Sequence, residues 1–315
     1  MTFSRVAIVG LGLLGGSIGL AMREHLPGVA SAGWDADPAV RERARERGLV
    51  ATIADDPAEA VRGADLVILC VPVGAMAQAA HAVAPGLSPD CLVSDVGSSK
   101  QGVAGALEQA LPNHAIIPAH PVAGTEQSGP DAGFSSLFHH RWCILTPPAH
   151  AEAAQVDALA AFWRALGATV EVMEPAHHDL VLAVTSHIPH LIAYTIVGTA
   201  SDLEEVTRSE VIKYSAGGFR DFTRIAASDP TMWRDVFLHN RDAVLAMLGR
   251  FTADLDAMTS AIREGDGQAM HDLFSRTRAI RRGILAMGQD DARPDFGRGD
   301  HDERQGDEAE PPPQS

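Results

Sequence analysis

Residues 6–15 read Val6-Ala7-Ile8-Val9-Gly10-Leu11-Gly12-Leu13-Leu14-Gly15. Four apolar residues run without a polar break into a glycine-rich turn, and a stretch of helical character, Leu14–Glu24, follows. An apolar run without alternation is a strand covered on both faces, as in a parallel sheet. The turn has the spacing Gly-x-Gly-x-x-Gly, and Asp35 stands 20 residues beyond Gly15, at the end of the next β-rich run. In that context the pattern is a dinucleotide cradle. Gly10 permits the tight turn, Gly12 lets the backbone approach a pyrophosphate, and Gly15 lets helix pack on strand. The helix N-terminus then offers free N–H groups to phosphates. Asp35 can accept hydrogen bonds from ribose hydroxyls and would repel a 2′-phosphate, which favours NAD over NADP; Asp37 and Arg41 stand nearby. Leu13, Leu14 and Val71 complete the expected cofactor-binding set.

Outward from this unit, short apolar runs alternate with helical stretches. The runs are residues 30–34, 66–71, 91–95, 115–118, 143–146 and 169–173, and between them lie residues 38–47, 73–84, 101–111 and 151–166. This alternation predicts an α/β fold with a doubly wound, mostly parallel sheet. After Glu174 the strand signal stops. Residues 177–200 are apolar and helical in length. Phe237, Val244, Leu248, Phe251, Leu255, Met258 and Ile262 make a nearly heptad stripe, and a further helix carries Met270, Leu273, Phe274, Ile280 and Met287. The second half is therefore expected to be all-helical, its stripe serving a dimer seam or an intrachain core. Residues 291–315 hold eight acidic residues against three arginines and almost no large apolar ones, the composition of a disordered acidic tail. The expected division is 1–174 for dinucleotide binding, 175–288 for a helical domain and 289–315 for the tail.

The whole chain has 315 residues and a formal net charge of −16. That disfavours nucleic acid and an anionic membrane surface as partners; an anionic small substrate would need locally placed arginines. Cys70, Cys91 and Cys143 are too few and too scattered for a disulfide framework; Cys70 and Cys91 read as buried thiols. No signal-peptide pattern is read at the N-terminus, so a reducing, cytoplasmic compartment is expected. The most apolar stretch, residues 181–200, is broken by Ser186, His187, Pro189 and His190, and reads as a buried helix rather than a membrane span. Only two lysines are present, Lys100 and Lys213.

The ends of the later strands should line the crevice beside a bound nicotinamide. There lie Asp95-Val96-Gly97-Ser98-Ser99-Lys100 and His120-Pro121-Val122-Ala123-Gly124-Thr125. A histidine just past a strand end, with hydroxyls on a neighbouring loop, suits acid–base work in a dehydrogenase, although a histidine alone is as readily structural. His187 and His190 are three apart, but no third ligand is fixed by spacing, so no metal is expected. Arg220 and Arg224 stand among aromatics in Gly-Gly-Phe-Arg-Asp-Phe-Thr-Arg, residues 217–224. They read as a surface loop with ion pairs or as a carboxylate clamp.

Taken together, VAIVGLGLLGGSIGLAMR, DVGSSK, HPVAGTEQSGPDAGFSSLF, WCILTP, HHDLVLAVTSHIPHLIA and GGFRDFTRIAASDPTMWRDVFLHN resemble the prephenate/arogenate dehydrogenases of tyrosine biosynthesis. The stretches occur in the family's order over about residues 5–260. The resemblance implies a Rossmann-type domain followed by a helical domain that forms a homodimer, and NAD-dependent oxidative decarboxylation of prephenate or arogenate. It implies that His120 is the catalytic base at the ring hydroxyl and that Ser98 bonds to the same hydroxyl and orients His120. It makes Arg224 the holder of a substrate carboxylate and His190 a substrate contact; Ser186 and Thr125 join the expected substrate-binding set. The chain departs from the pattern at Gln127 and at Arg220, where some relatives carry a basic residue and a lysine, so the choice between prephenate and arogenate stays open. A β-hydroxyacid dehydrogenase would need a lysine with asparagine four residues later; Gly217 follows Lys213 and Ala104 follows Lys100. A nicotinamide sensor with a dead site would lack His120, Ser98 or Arg224, and all are present.

Overall fold

The computed structural model describes residues 3–125, 127–202 and 217–286. The expected acidic tail, Met287 and Lys213 lie outside them. Six parallel strands, β1 (Arg5–Val9), β2 (Ala30–Trp34), β3 (Thr52–Ile53), β4 (Leu66–Leu69), β5 (Leu92–Asp95) and β6 (Ala115–Ile116), form a sheet in the order β3-β2-β1-β4-β5-β6. The order reverses between β1 and β4, the switch point at which open α/β sheets bind ligands.

Burial follows the pleat. Val6 and Ile8 of β1 with Leu66 and Ile68 of β4 feed one hydrophobic cluster, and Ala7, Val9, Val67 and Leu69 feed the other. The first is closed by α1 (Leu13–His25) and by α6 (Ala153–Ala165), including the fully buried Trp163. The second is closed by α3 (Pro57–Val61), α4 (Met76–Val83) and α5 (Gln101–Ala110). The remaining helix of this half, α2, spans Pro38–Arg47, with the Asp37 side chain accepting from the Ala39 N–H at its start.

The later runs do not extend the parallel sheet. β7 (Ala119–Pro121) pairs antiparallel with β8 (Trp142–Leu145), which pairs parallel with β9 (Thr169–Val172) in a separate three-stranded sheet. The reading of one mostly parallel sheet is corrected to that extent, and β3 and β7 were not foreseen. Two or three residues carry too little periodicity to be seen in a sequence.

The helical part begins with α7 (Pro175–Leu182), passes through one π-helical turn over Ala183–His187, and continues as α8 (Ile188–Ser201). Next come α9 (Gly217–Thr223), α10 (Pro230–His239), α11 (Arg241–Glu264) and α12 (Gly267–Ala286). The stripe expected to run unbroken from Phe237 is split at Asn240, whose φ of −109° and ψ of 30° end α10. Residues 217–224, read as a loop, are helix α9 up to Thr223.

The chain divides into two compact units, one ending at Ala257 and the other beginning at Met258. Helices α7 to α10 share the first unit with the sheets, and α7 bonds to them through His178 and Asp179, as described next. Helices α7 and α8 with the turn between them, Pro175–Ser201, are long and apolar enough to cross a membrane by length and composition. Their His178, Asp179 and His187 are nonetheless buried on polar partners of the same unit. The expectation of a buried helix is corrected for α8, which leaves Ile196 and Val197 exposed, as Val184 is in the π turn. Cys91 and Cys143 are buried, while Cys70 is only half-buried.

Candidate active site

The glycine turn between β1 and α1 has the form the motif requires. Gly10 has φ +97°, and a Cβ there would sit 2.5 Å from the Cys70 carbonyl oxygen, so only glycine fits. A Cβ on Gly15 would lie 1.9 Å from the Gly10 oxygen. A Cβ on Gly12 would meet nothing within 4 Å, the open approach a pyrophosphate needs. Gly12 is the N-cap of α1 without a side-chain cap, so the first-turn N–H groups remain available to an anion. Asp35 is held at the end of β2: its Oδ2 accepts from Leu11 N at 2.8 Å and its Oδ1 from Asp37 N at 2.9 Å. Arg41 donates to the Asp35 carbonyl at 2.7 Å, which brings a guanidinium to the same corner. Leu13 and Leu14 are half-buried in the first turn of α1. Val71, just past β4, would touch a Cβ on Gly10 at 3.2 Å. These residues fit a dinucleotide.

The second group of residues lies beyond β5. His120 is the middle residue of β7 rather than a residue past a strand end, and it is buried. Its Nδ1 lies 2.8 Å from His178 Nε2, and His178 Nδ1 lies 2.9 Å from Asp179 Oδ1. Asp179 also accepts from the backbone N–H groups of Lys100 (2.7 Å) and Gln101 (2.9 Å), at the end of the loop that carries Ser98. The other end of that loop is held by Asp95, whose Oδ2 accepts from Gly97 N at 2.7 Å and from Lys100 Nζ at 2.5 Å. Lys100 Nζ donates also to the carbonyl of Ala119, next to His120, at 2.7 Å. Both side chains of the Asp95–Lys100 pair are fully buried. Burial pushes the carboxyl up and the ammonium down, while their mutual attraction works against both shifts.

His187, placed by the π turn, accepts at Nδ1 from Asn240 Nδ2 at 3.0 Å, and the same amide donates to the Asp179 carbonyl at 2.8 Å. The His187 Nε2–H therefore faces the Ser98 backbone without a fully formed hydrogen bond. Burial brings its pKa down to about 4. His190 donates from Nδ1 to the Ser186 carbonyl at 2.9 Å and stacks on Trp233, ring centroids 3.6 Å apart. Burial lowers the His190 pKa, and the Arg224 guanidinium near it adds to the shift.

Histidines 120, 187 and 190 thus form one cluster with Ser98 beside it and Arg224 at its rim. Thr125 closes a turn onto Gln127 instead, accepting from its N–H at 3.0 Å. For His120, burial acts first, then the charges of His178, Lys100 and His187, all pushing the pKa well below 6.5. His120 is therefore neutral at pH 6.5, the value at which an unperturbed histidine is half protonated. Among the described residues no group of three metal-ligating side chains is present. Sequence reasoning missed His178, Asp179, Asn240 and Trp233; the polar run His177-His178-Asp179 ahead of the apolar Leu180–Leu182 was the available signal.

Comparison with known proteins adds the following. Residues 18–172 match the family model described as prephenate dehydrogenase, nucleotide-binding domain, and residues 174–276 match prephenate dehydrogenase, dimerization domain. The cyclohexadienyl dehydrogenase of Zymomonas mobilis is 45% identical over 93% of this chain and 99% of its own. The prephenate dehydrogenase of Bacillus subtilis is 33% identical over 92% of this chain and 78% of its own. Among solved structures, prephenate dehydrogenase from Aquifex aeolicus in complex with hydroxyphenyl propionate and NAD+ superimposes with a TM-score of 0.83 at 30% identity, covering 90% of this chain and 99% of that one.

Proposed function

The chain belongs to the prephenate dehydrogenase family and is an NAD-dependent oxidoreductase, and we propose that it converts prephenate to 4-hydroxyphenylpyruvate and CO2 with His120 as the base. The observation that carries this assignment is the fixed His120. Its Nδ1 is engaged by His178, itself engaged by Asp179, which leaves Nε2 for a substrate hydroxyl. Gly10, Gly12 and Asp35 would hold NAD+, which would supply the hydride acceptor for the ring carbinol carbon. His120 takes the hydroxyl proton, and Ser98 bonds to the same hydroxyl. Departure of the ring carboxylate as CO2 leaves its electron pair in the ring, which becomes aromatic, so no carbanion has to be stabilised by metal or lysine. His190, Ser186 and Arg224 bind the substrate end, and Thr125 contributes from its turn. The division at about residue 174 sets the dinucleotide-binding part, which also brings His120, Ser98 and Thr125 to the substrate, apart from the helical part, which brings Ser186, His190 and Arg224 and the dimer seam.

The second reading is dual use of arogenate, favoured by the likeness to a cyclohexadienyl dehydrogenase at 45% identity. Initial rates with both substrates and both cofactors separate the readings. Turnover of prephenate with NAD, exceeding that of arogenate, is expected; exclusive use of arogenate would overturn the substrate assignment.

Asp35→Ser removes a carboxylate acceptor from the ribose corner and leaves Arg41 beside it. A charge-assisted hydrogen bond contributes about 1.5–3 kcal/mol, so the KM for NAD should rise roughly ten- to 150-fold, and NADP should become a usable cofactor. A wild type that already prefers NADP would refute the role.

Arg224→Ala removes a charge-assisted pair to a substrate carboxylate. The same range predicts a rise in substrate KM of roughly ten- to 150-fold with NAD binding unchanged. An unchanged KM places the carboxylate elsewhere.

The assembly is a homodimer built by the helical half. Leu238, Leu245 and Leu255 in the first unit, and Ile262, Phe274 and Ile280 in the second, are exposed in one chain, and covering such apolar residues favours association. Sedimentation should show a dimer at micromolar concentration; a monomer would refute it. The protein works in the cytoplasm, where its cysteines stay reduced.

A further inference from the structure

We propose that His178 and Asp179 are positioning residues for the reaction, fixing the ring nitrogen on which His120 carries its proton and, through the same carboxylate, the loop that carries Ser98. The proposal rests on the reading of His120 as the base. A carboxylate has no proton to give, so Asp179 Oδ1 accepts from His178 Nδ1–H at 2.9 Å. In neutral His178 the other nitrogen, Nε2, is then the acceptor, and the partner 2.8 Å away, His120 Nδ1, must be the donor. His120 is thereby held with its proton on Nδ1 and its lone pair on Nε2, the form a base needs. The two rings meet edge to face, at 68° with centroids 5.0 Å apart, so the bond also fixes the His120 plane. When His120 becomes doubly protonated, the new charge faces His178 backed by an anion; Lys100 and His187 also act on His120, and Lys100 and Asp95 on His178.

Asp179 links this chain to the hydroxyl loop. Its two carboxylate oxygens hold the N–H groups of Lys100 and Gln101, and its own carbonyl is held by Asn240. One side chain from α7 therefore sets both groups that meet the substrate hydroxyl. An analogous Asp–His pairing in serine hydrolases, where the aspartate selects the tautomer, is worth up to about 10⁴-fold in turnover.

Two measurements on the full-length protein test this. In the first, His178→Leu and His178→Gln are compared by steady-state kinetics. Leucine removes the acceptor for His120 Nδ1–H, while the glutamine carbonyl can replace it. His178→Leu should lower kcat at least about tenfold with substrate KM within about threefold, and His178→Gln should recover most of the loss. Equal impairment in both variants, or in neither, overturns the proposal. In the second, long-range proton–nitrogen correlation spectra of histidine-labelled protein report which nitrogen of His120 is protonated, its signals being identified by their loss in His120→Asn. The Nδ1–H tautomer is expected in the wild type near pH 8, and a mixture in Asp179→Asn. An unchanged tautomer in that variant overturns the proposal. If His120→Asn itself retained turnover, the reading of His120 as base would fall, and the positioning role with it.

Discussion

His120→Asn is expected to lower turnover by about two to four orders of magnitude, the usual worth of a positioned general base, while the substrate KM changes little. Asparagine keeps a polar group of similar reach on β7 and can still bond to His178 Nε2, so the strand pairing to β8 should survive. NAD binding should be unchanged, because the glycine turn and Asp35 belong to other elements. The pH profile carries a second test. A histidine base works only when neutral, and burial beside Lys100 and two histidines pushes the protonation of His120 well below 6.5. In the wild type kcat/KM should therefore stay level as pH falls through 6.5 and decline only below it, and the limb should vanish from the residual activity of the variant. Near-normal turnover with lost affinity would make His120 a binding residue.

The dinucleotide half was legible because its signals are local. A four-residue apolar strand, three glycines at fixed spacing and Asp35 specify the β1–α1–β2 unit, and the structure adds only that Asp35 is already bonded to Leu11 and Asp37. His120 was legible as a histidine just past a strand end near the crevice. Its position inside β7 was not, because a three-residue strand in a second sheet has no period to read. Burial of Lys100 could not be read either. A lysine after Ser-Ser in a loop looks solvated, and only the fold shows that it spans from Asp95 to the Ala119 carbonyl. The same holds for Asp179. Its partners Lys100, Gln101 and Asn240 are 79, 78 and 61 residues distant in sequence, and no local pattern reports such pairings.

The helical half shows a different limit. Spacing revealed apolar stripes but not what covers them. Val244 is buried, whereas Leu255 lies half in solvent, although both belong to one heptad-like series. Helix periodicity specifies a face; the partner of that face is set by tertiary and quaternary structure.

Lys100→Met is expected to be the most destabilising single change in the site. Methionine fits the length of the lysine stem but leaves the Asp95 carboxylate, with no solvent exposure, facing no cation. Breaking a buried pair by removing one partner costs about 3–5 kcal/mol, which corresponds to a fall in thermal midpoint of roughly 6–20 °C for a domain of this size. Part of the effect reaches the site directly, since Lys100 Nζ also holds the Ala119 carbonyl beside His120. A second substitution separates charge from packing. Asp95→Asn in the Lys100→Met background removes the stranded charge and keeps an oxygen for the Gly97 N–H, which now bonds to Asp95 at 2.7 Å. Most of the lost stability should return in the double variant, because a neutral buried amide with a partner costs far less than an unpaired carboxylate. Thermal melts of wild type, single and double variants at one pH decide the matter. A double variant no more stable than Lys100→Met would place the loss in packing around the lysine stem and not in the Asp95 charge.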